Sequence, residues 1–254
     1  MTKRRDWTEQ ELLLAFGLYT QLHFGQLHQR NPEVIRIAAT IDRTPSAVSM
    51  KACNFASLDP THAKRGVSGL GNASAADRAL WARYEDNPDS LFSEVAPLWN
   101  SVFPEDETTE PESTEFPAAD DFPRPSGPSD VAATVKVRRL QGFFRKAVLS
   151  AYGNQCALSD VALPGLLIAS HIIPWAEAKN HRLDPRNGIA LNALYDRAFD
   201  RGFFTLDEDY RVVVSQDLPD DLPLFQIQGK QLRLPERSAP NPDFIANHRK
   251  RWFG

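Results

Sequence analysis

The chain has little cysteine and no long apolar run, and these two shortages exclude several classes of protein. Its two cysteines, Cys53 and Cys156, lie far apart, so they form no disulfide framework and cannot build a four-cysteine zinc site. No stretch of about 18 apolar residues is present to span a bilayer. Residues 1–7 carry charge with no apolar segment behind them, which is not the pattern of a secretory signal. We therefore expect a cytoplasmic protein.

The chain also lacks a strong excess of either charge, because its formal net charge is only −4. The acidity is concentrated in residues 101–130, which hold nine acidic residues and one basic residue. Residues 1–100 are balanced, whereas residues 131–254 hold 17 basic and 13 acidic residues. A mildly basic C-terminal part is compatible with phosphate binding but does not require it.

This uneven composition predicts three parts. Residues 101–130 are rich in proline and acidic residues and show no periodicity, so we predict an acidic disordered linker there. The linker separates residues 1–100 from residues 131–254, and each of these parts is long enough to bury a core. The predicted fold class is α+β, with a helical N-terminal domain and a C-terminal domain of strands and helices.

Residues 1–100 show the start signals of several helices. Thr8 and Glu11 have the spacing of a capping box before a periodic apolar run. Asn31 and Pro32 precede a second predicted helix, and Pro45 opens a third. We therefore predict a small helical domain.

Part of this domain resembles a helix-turn-helix unit. Residues 37–48 combine an apolar helix, a short polar turn and the start of a second helix. In such units the second helix meets the major groove of DNA, which makes Ser46, Ser49 and Lys51 candidates for contact. A helical bundle that dimerises or binds another ligand is the alternative interpretation.

The second domain begins with a basic amphipathic stretch over residues 135–152. Its basic residues alternate with apolar and aromatic ones at helical spacing. We predict a helix that packs its aromatic side on the core and exposes its charges. Contact with a phosphate backbone is the alternative.

Further along, a histidine, an asparagine and two aspartates follow one another across predicted elements. His171 ends an apolar strand, Asn187 lies in a turn sixteen residues later, and Asp196 follows after nine more. Asp196 and Asp200 are four residues apart on a predicted helix, so both carboxylates can face one cation such as Mg²⁺ or Mn²⁺. A neutral imidazole suits general-base catalysis near pH 7. The order of elements is strand, loop, strand, helix.

Three segments of this region resemble HNH endonucleases. They are residues 169–175 (ASHIIPW), 186–188 (RNG) and 196–202 (DRAFDRG). The resemblance covers about residues 140–215 and is greatest with the HNH subgroup associated with restriction. It implies a ββα-metal nuclease domain that hydrolyses DNA phosphodiester bonds and restricts foreign DNA, including modified DNA.

The resemblance also implies roles for individual residues. His171 would be the general base, Asn187 would fix the loop and the orientation of His171, and Asp196 and Asp200 would hold one divalent metal ion. Ser170 departs from the family pattern, because many members have a metal-binding aspartate or histidine at this position. The candidate DNA contacts are Arg186, Arg197, Arg201 and, in the first domain, Lys51.

Several alternatives remain open at this stage. Arg197 and Arg201 could form ion pairs with the nearby aspartates instead of contacting phosphate. A non-catalytic DNA-binding regulator with a degenerate HNH scaffold is the alternative function, and RNA or branched DNA are alternative substrates. We expect a homodimer, because a double-strand break needs two active sites.

Overall fold

The computed structural model describes residues 5–64, 72–104, 128–218 and 226–254. These residues divide into two compact units, one before and one after the range 105–127. Most of the predicted acidic linker lies in that range and therefore outside the described residues. No helix in the described part of the chain is long and apolar enough to cross a membrane.

The regular elements described in the N-terminal unit are helices packed around an aromatic core. The ring of Phe16 lies 5.3 Å from that of Phe55 and 6.0 Å from that of Phe92, measured between centroids, and all three side chains are buried. The α-helices are α1 (Glu9–Gln21), α2 (Pro32–Thr40), α3 (Pro45–Leu58), α4 (Pro60–Lys64), α5 (Ala75–Asp86) and α6 (Pro88–Val102).

The helix starts expected from the sequence are present. At α1, the Thr8 hydroxyl accepts a hydrogen bond from the Glu11 N–H, and the Glu11 carboxylate accepts one from the Thr8 N–H. Asn31 caps α2, and Thr44 caps α3 by accepting from the Ala47 N–H at 3.2 Å. These caps satisfy backbone donors that a helix cannot pair internally, which is why they are readable from local sequence.

The described residues of the C-terminal unit form two small antiparallel sheets and three α-helices. Its elements are α7 (Pro128–Ala151), β1 (Leu167–His171), β2 (Gly188–Asn192), α8 (Ala193–Asp200), β3 (Phe204–Leu206), β4 (Val212–Val214) and α9 (Pro242–Phe253). Strand β1 pairs with β2, and β3 pairs with β4. The order β1, β2, α8 is the predicted strand, strand, helix arrangement.

Helix α7 packs against the β1–β2 hairpin at a glycine. A Cβ atom on Gly188 would come within 2.5 Å of Val148 and 2.8 Å of Phe144, both on α7, so only glycine allows this close approach. Gly188 lies directly opposite His171 in the hairpin. Cross-strand partners share a face of a sheet, so His171 also lies on the face covered by α7.

The predicted packing of the basic helix agrees with its described C-terminal half. Phe143 and Phe144 are buried, and Arg145 donates to the backbone carbonyls of Leu167 and Pro164 at 2.6 and 3.2 Å. The aromatic side therefore faces the core, and at least one of the basic residues serves to attach α7 to the start of β1.

The last helix, α9, is attached to α8 and β3 through a buried histidine. His248 Nε2 donates to the Phe199 carbonyl at 3.1 Å, so Nδ1 accepts from the Thr205 hydroxyl at 3.0 Å. The imidazole also stacks on the Phe199 ring, with centroids 3.8 Å apart. Burial lowers the pKa of His248 to about 4; the bond to Phe199 opposes this shift and the charge of Arg251 adds to it.

We expect this histidine to make the fold sensitive to acid. Because the folded pKa lies below the ordinary value of 6.5, the unfolded chain takes up a proton more readily between about pH 6.5 and 4. Stability is therefore lost as the pH falls through that window, by about 2 kcal/mol between pH 7 and pH 5. Denaturant titrations at both pH values should show a smaller loss for His248→Gln, which keeps an amide donor but does not titrate. Equal losses in the two proteins would contradict this assignment.

Candidate active site

His171 is held between two aromatic rings at the end of β1. Its imidazole stacks on Phe144, with ring centroids 3.9 Å apart and planes 12° apart. The Trp175 ring meets it edge-on at 5.6 Å. His171 Nε2 lies 3.1 Å from the Arg182 carbonyl oxygen. Because a carbonyl oxygen can only accept, Nε2 carries the proton and the lone pair of the neutral ring is on Nδ1.

The protonation state of His171 suits a base. Burial lowers its pKa to about 4, and the hydrogen bond to the Arg182 carbonyl only partly opposes this shift. The imidazole is therefore neutral near pH 7, and Nδ1 makes no hydrogen bond with any described residue. The position of the ring, its tautomer and its charge state together leave one nitrogen able to accept a proton.

Asn187 fixes the loop that follows His171. Its side-chain oxygen accepts from the Ile173 N–H at 2.8 Å, and its amide donates to the carbonyls of Ile173 and His181, each at 3.1 Å. Asn187 is completely buried. The residue after His181 is Arg182, whose carbonyl holds His171. Asn187 thus joins the two ends of the loop and positions the acceptor of the His171 proton.

Ser170 lies on the opposite face of the hairpin from His171, because neighbouring residues of a strand alternate in direction. Its hydroxyl oxygen is buried and has no hydrogen-bond partner among the described residues. A buried polar atom without a partner requires an explanation, and an ion or water that completes the site is one of them.

The two aspartates occupy the first and last turns of α8. Asp196 is buried, with 2% of its surface exposed, and Asp200 is half-buried. Their spacing of four residues puts them on one side of α8. Within residues 5–64, 72–104, 128–218 and 226–254, no three His, Cys, Asp or Glu side chains cluster closely enough to hold a metal ion. Asp196, Asp200 and His171 therefore do not form a preformed three-ligand metal site. The His171 side chain instead faces α7, where it stacks on Phe144.

The arginines predicted to contact DNA differ in their surroundings. Arg186 forms a bidentate ion pair with Asp184, which is fully buried, so its guanidinium is committed to the loop. Arg197 and Arg201 are exposed, and their side chains form no hydrogen bond or ion pair with any described residue. The alternative in which these two arginines pair with the aspartates is therefore not observed in the described part of the chain.

Lys51, the candidate DNA contact of the first domain, is mostly buried. Its ammonium lies 2.8 Å from the Asp77 carboxylate, which is itself fully buried and also accepts from Asn54. The Lys51 ammonium also lies 5.0 Å from the centre of the Trp7 ring. The sequence pattern predicted that Lys51 lies on an exposed helix face. In the folded N-terminal unit its ammonium is instead buried in an ion pair with Asp77. We therefore omit Lys51 from the proposed DNA contacts.

A buried cysteine, Cys156, supports the start of α8. The sequence patterns did not predict this contact. The Cys156 sulfur accepts from the Asn192 N–H at 3.3 Å and from the Leu158 N–H at 3.4 Å. Asn192 in turn caps α8 by accepting from the Tyr195 N–H at 2.9 Å. An Asn before a helical stretch is a recognisable cap signal, but the sulfur contact joins residues 36 apart and has no local signature.

The described site thus combines a strand pair, a helix and a half-buried neutral histidine whose loop is fixed by an asparagine. Comparison with known families gives a match to the HNH endonuclease model over residues 156–207. This match covers β1, β2, α8 and β3 and confirms the resemblance to HNH endonucleases inferred from the sequence motifs. No curated protein matches the chain.

Proposed function

We propose that this protein is a metal-dependent endonuclease that hydrolyses DNA phosphodiester bonds, with restriction of foreign, including modified, DNA as its role. The single observation that carries the proposal is the state of His171: neutral, with Nε2 bound to a carbonyl and Nδ1 left to accept a proton. The match of residues 156–207 to the HNH endonuclease model supports the same reaction class.

In the proposed reaction, His171 Nδ1 takes a proton from a water molecule as that water attacks the phosphorus atom. The bond between phosphorus and one ester oxygen breaks, and the leaving oxygen gains a proton from solvent. Asn187 keeps the Arg182 carbonyl against Nε2, so that the imidazole cannot rotate or change tautomer during proton transfer. That carbonyl also stabilises the imidazolium that forms.

The donors on α8 and β1 fit a hard divalent cation. Mg²⁺ is commonly bound by one or two carboxylates together with water and substrate phosphate rather than by a complete protein cage. Two carboxylates on one side of α8 match that mode, and the orphaned Ser170 oxygen is a further hard donor on the hairpin. Asp196 and Asp200 would hold Mg²⁺ or Mn²⁺. The ion would supply electrostatic stabilisation of the charge on the phosphate and the leaving oxygen.

The test is incubation of the purified protein with modified and unmodified plasmid DNA in Mg²⁺, Mn²⁺ or EDTA. We expect cutting with the metal ions and none with EDTA. Asp196→Asn, which keeps the size of the side chain, should lower the cleavage rate on the order of a hundredfold or more. The matched control is Asp209→Asn in the exposed turn between β3 and β4, which should cut like the wild type. Cutting in EDTA, or an unaffected Asp196→Asn, would contradict the metal assignment.

The same assay separates the nuclease from the alternative, a regulator that binds DNA without cutting it. Retained binding with no cutting on any substrate would support the regulator. Because a double-strand break needs two active sites, the proposal includes a homodimer, and a monomeric mass at working concentration would count against it.

A further inference from the structure

Arg182 is fixed beside His171 through both its backbone and its side chain. Its carbonyl accepts from His171 Nε2 at 3.1 Å. Its Nε donates to the Trp175 carbonyl at 2.8 Å, and its guanidinium lies over the Trp175 ring, with Cζ 5.4 Å from the ring centre. An arginine held at these points loses little conformational freedom when it binds a ligand.

The positive charge of Arg182 is not paired with an acidic residue of its own loop, which connects β1 to β2 and spans residues 172–187. The loop contains two acidic residues, and each is paired with a different arginine. Asp184 binds Arg186, and Glu177 binds Arg251 at 2.8 Å. The two terminal nitrogens of Arg182 make no hydrogen bond or ion pair with any described residue. A rigid, partly exposed guanidinium with its donors unoccupied is suited to an anion.

The position of Arg182 identifies which anion this would be. The Trp175 ring touches His171 on one side, at 5.6 Å between centroids, and carries the Arg182 guanidinium as well. The His171 imidazole and the Arg182 guanidinium therefore both lie beside one indole ring. The planar fork of a guanidinium matches two oxygens of a phosphodiester.

We propose that Arg182 binds a backbone phosphate of the nucleic acid next to His171. This inference rests on the proposed function, since it assigns a phosphate contact to the same site. Different atoms of Arg182 then have different roles. Its backbone carbonyl orients the His171 imidazole, and its guanidinium binds the phosphate.

The test measures binding of the full chain to a labelled DNA duplex in EDTA, over a series of salt concentrations. Arg182→Ala should weaken binding about tenfold and lower the slope of log affinity against log salt by about one, as expected for one lost phosphate contact. Arg182→Lys keeps the charge but not the fork, so its affinity should lie between those of the alanine variant and the wild type. The backbone carbonyl that holds His171 is present in all three proteins.

Lys179→Ala is the matched control. Lys179 is exposed on the same loop, and its replacement by alanine removes the same positive charge. Unlike Arg182, Lys179 makes no hydrogen bond or cation–π contact with Trp175. A small effect for Lys179→Ala and a large one for Arg182→Ala would support a specific contact. Equal losses would overturn the proposal in favour of a general effect of loop charge, and unchanged binding by Arg182→Ala would overturn it directly.

A cleavage assay on the same proteins separates this inference from the proposed function. If the wild type binds but does not cut, the nuclease proposal fails while the binding series still decides the role of Arg182. If the wild type cuts and Arg182→Ala binds with an unchanged salt slope, only the Arg182 proposal fails. A thermal melt of each variant confirms that the loop remains folded. If the wild type neither binds nor cuts, both proposals fail together.

Discussion

Replacing His171 with alanine is expected to lower the rate of DNA cleavage by at least about a thousandfold. The variant loses the nitrogen that accepts the proton from water, whereas the exposed Arg197 and Arg201 are untouched, so DNA binding should remain close to that of the wild type. Single-turnover cleavage and equilibrium binding, measured on the same duplex, check the two halves of this prediction.

A second variant distinguishes lost chemistry from lost packing. His171 fills the space between Phe144 and Trp175, so alanine also leaves a cavity. His171→Gln restores much of that volume and can still donate to the Arg182 carbonyl, but it has no basic nitrogen. It should be as inactive as the alanine variant and more stable. His28→Ala, at an exposed position of the N-terminal unit, is the control. Near-normal cutting by His171→Gln would remove His171 from the mechanism.

The second large effect is expected for Asn187→Ala. This change removes one acceptor and two donors from a completely buried position and leaves backbone groups of Ile173 and His181 without partners. Each orphaned group costs about 1–3 kcal/mol, so the loss in unfolding free energy should be about 3 kcal/mol or more. Cleavage should also fall sharply, because the Arg182 carbonyl is no longer held against His171.

Denaturant titration and cleavage assays at a temperature where the variant is folded test these two losses separately. Asn180→Ala is the matched control, since Asn180 is exposed on the same loop and its side chain makes no hydrogen bond with the described residues. It should match the wild type in both measurements. Full stability and activity in Asn187→Ala would mean that the loop is positioned by other contacts.

The features that the sequence predicted correctly are those with local causes. The capping box of Thr8 and Glu11 and the order β1, β2, α8 depend on residues a few positions apart, and these were predicted at nearly their observed positions. His171 and Asn187 were selected from the spacing of the motif along the chain, and their roles in catalysis stay predictions.

The features that the sequence could not predict depend on contacts between distant segments. Lys51 has the pattern of an exposed helical residue, yet it pairs with Asp77 across 26 positions. Arg182 has no local sequence signature, because its proposed phosphate contact depends on where the loop places Trp175 and His171. His171 faces α7 and does not join the aspartates in one metal site. This orientation depends on the packing of the hairpin against Phe144.

The junction between β2 and α8 has a mechanical consequence. Asn192 is both the last residue of β2 and the cap of α8, so no connecting residue separates strand from helix. Asn192 also donates two hydrogen bonds, one to the Cys156 sulfur and one to the Ser159 hydroxyl, and these attach it to the segment between α7 and β1. The β1–β2 hairpin and α8 should consequently move as one rigid body. If the proposed function is correct, a DNA duplex bound at this rigid junction bends more than the protein does, and flexible base steps should be cut more readily than stiff ones.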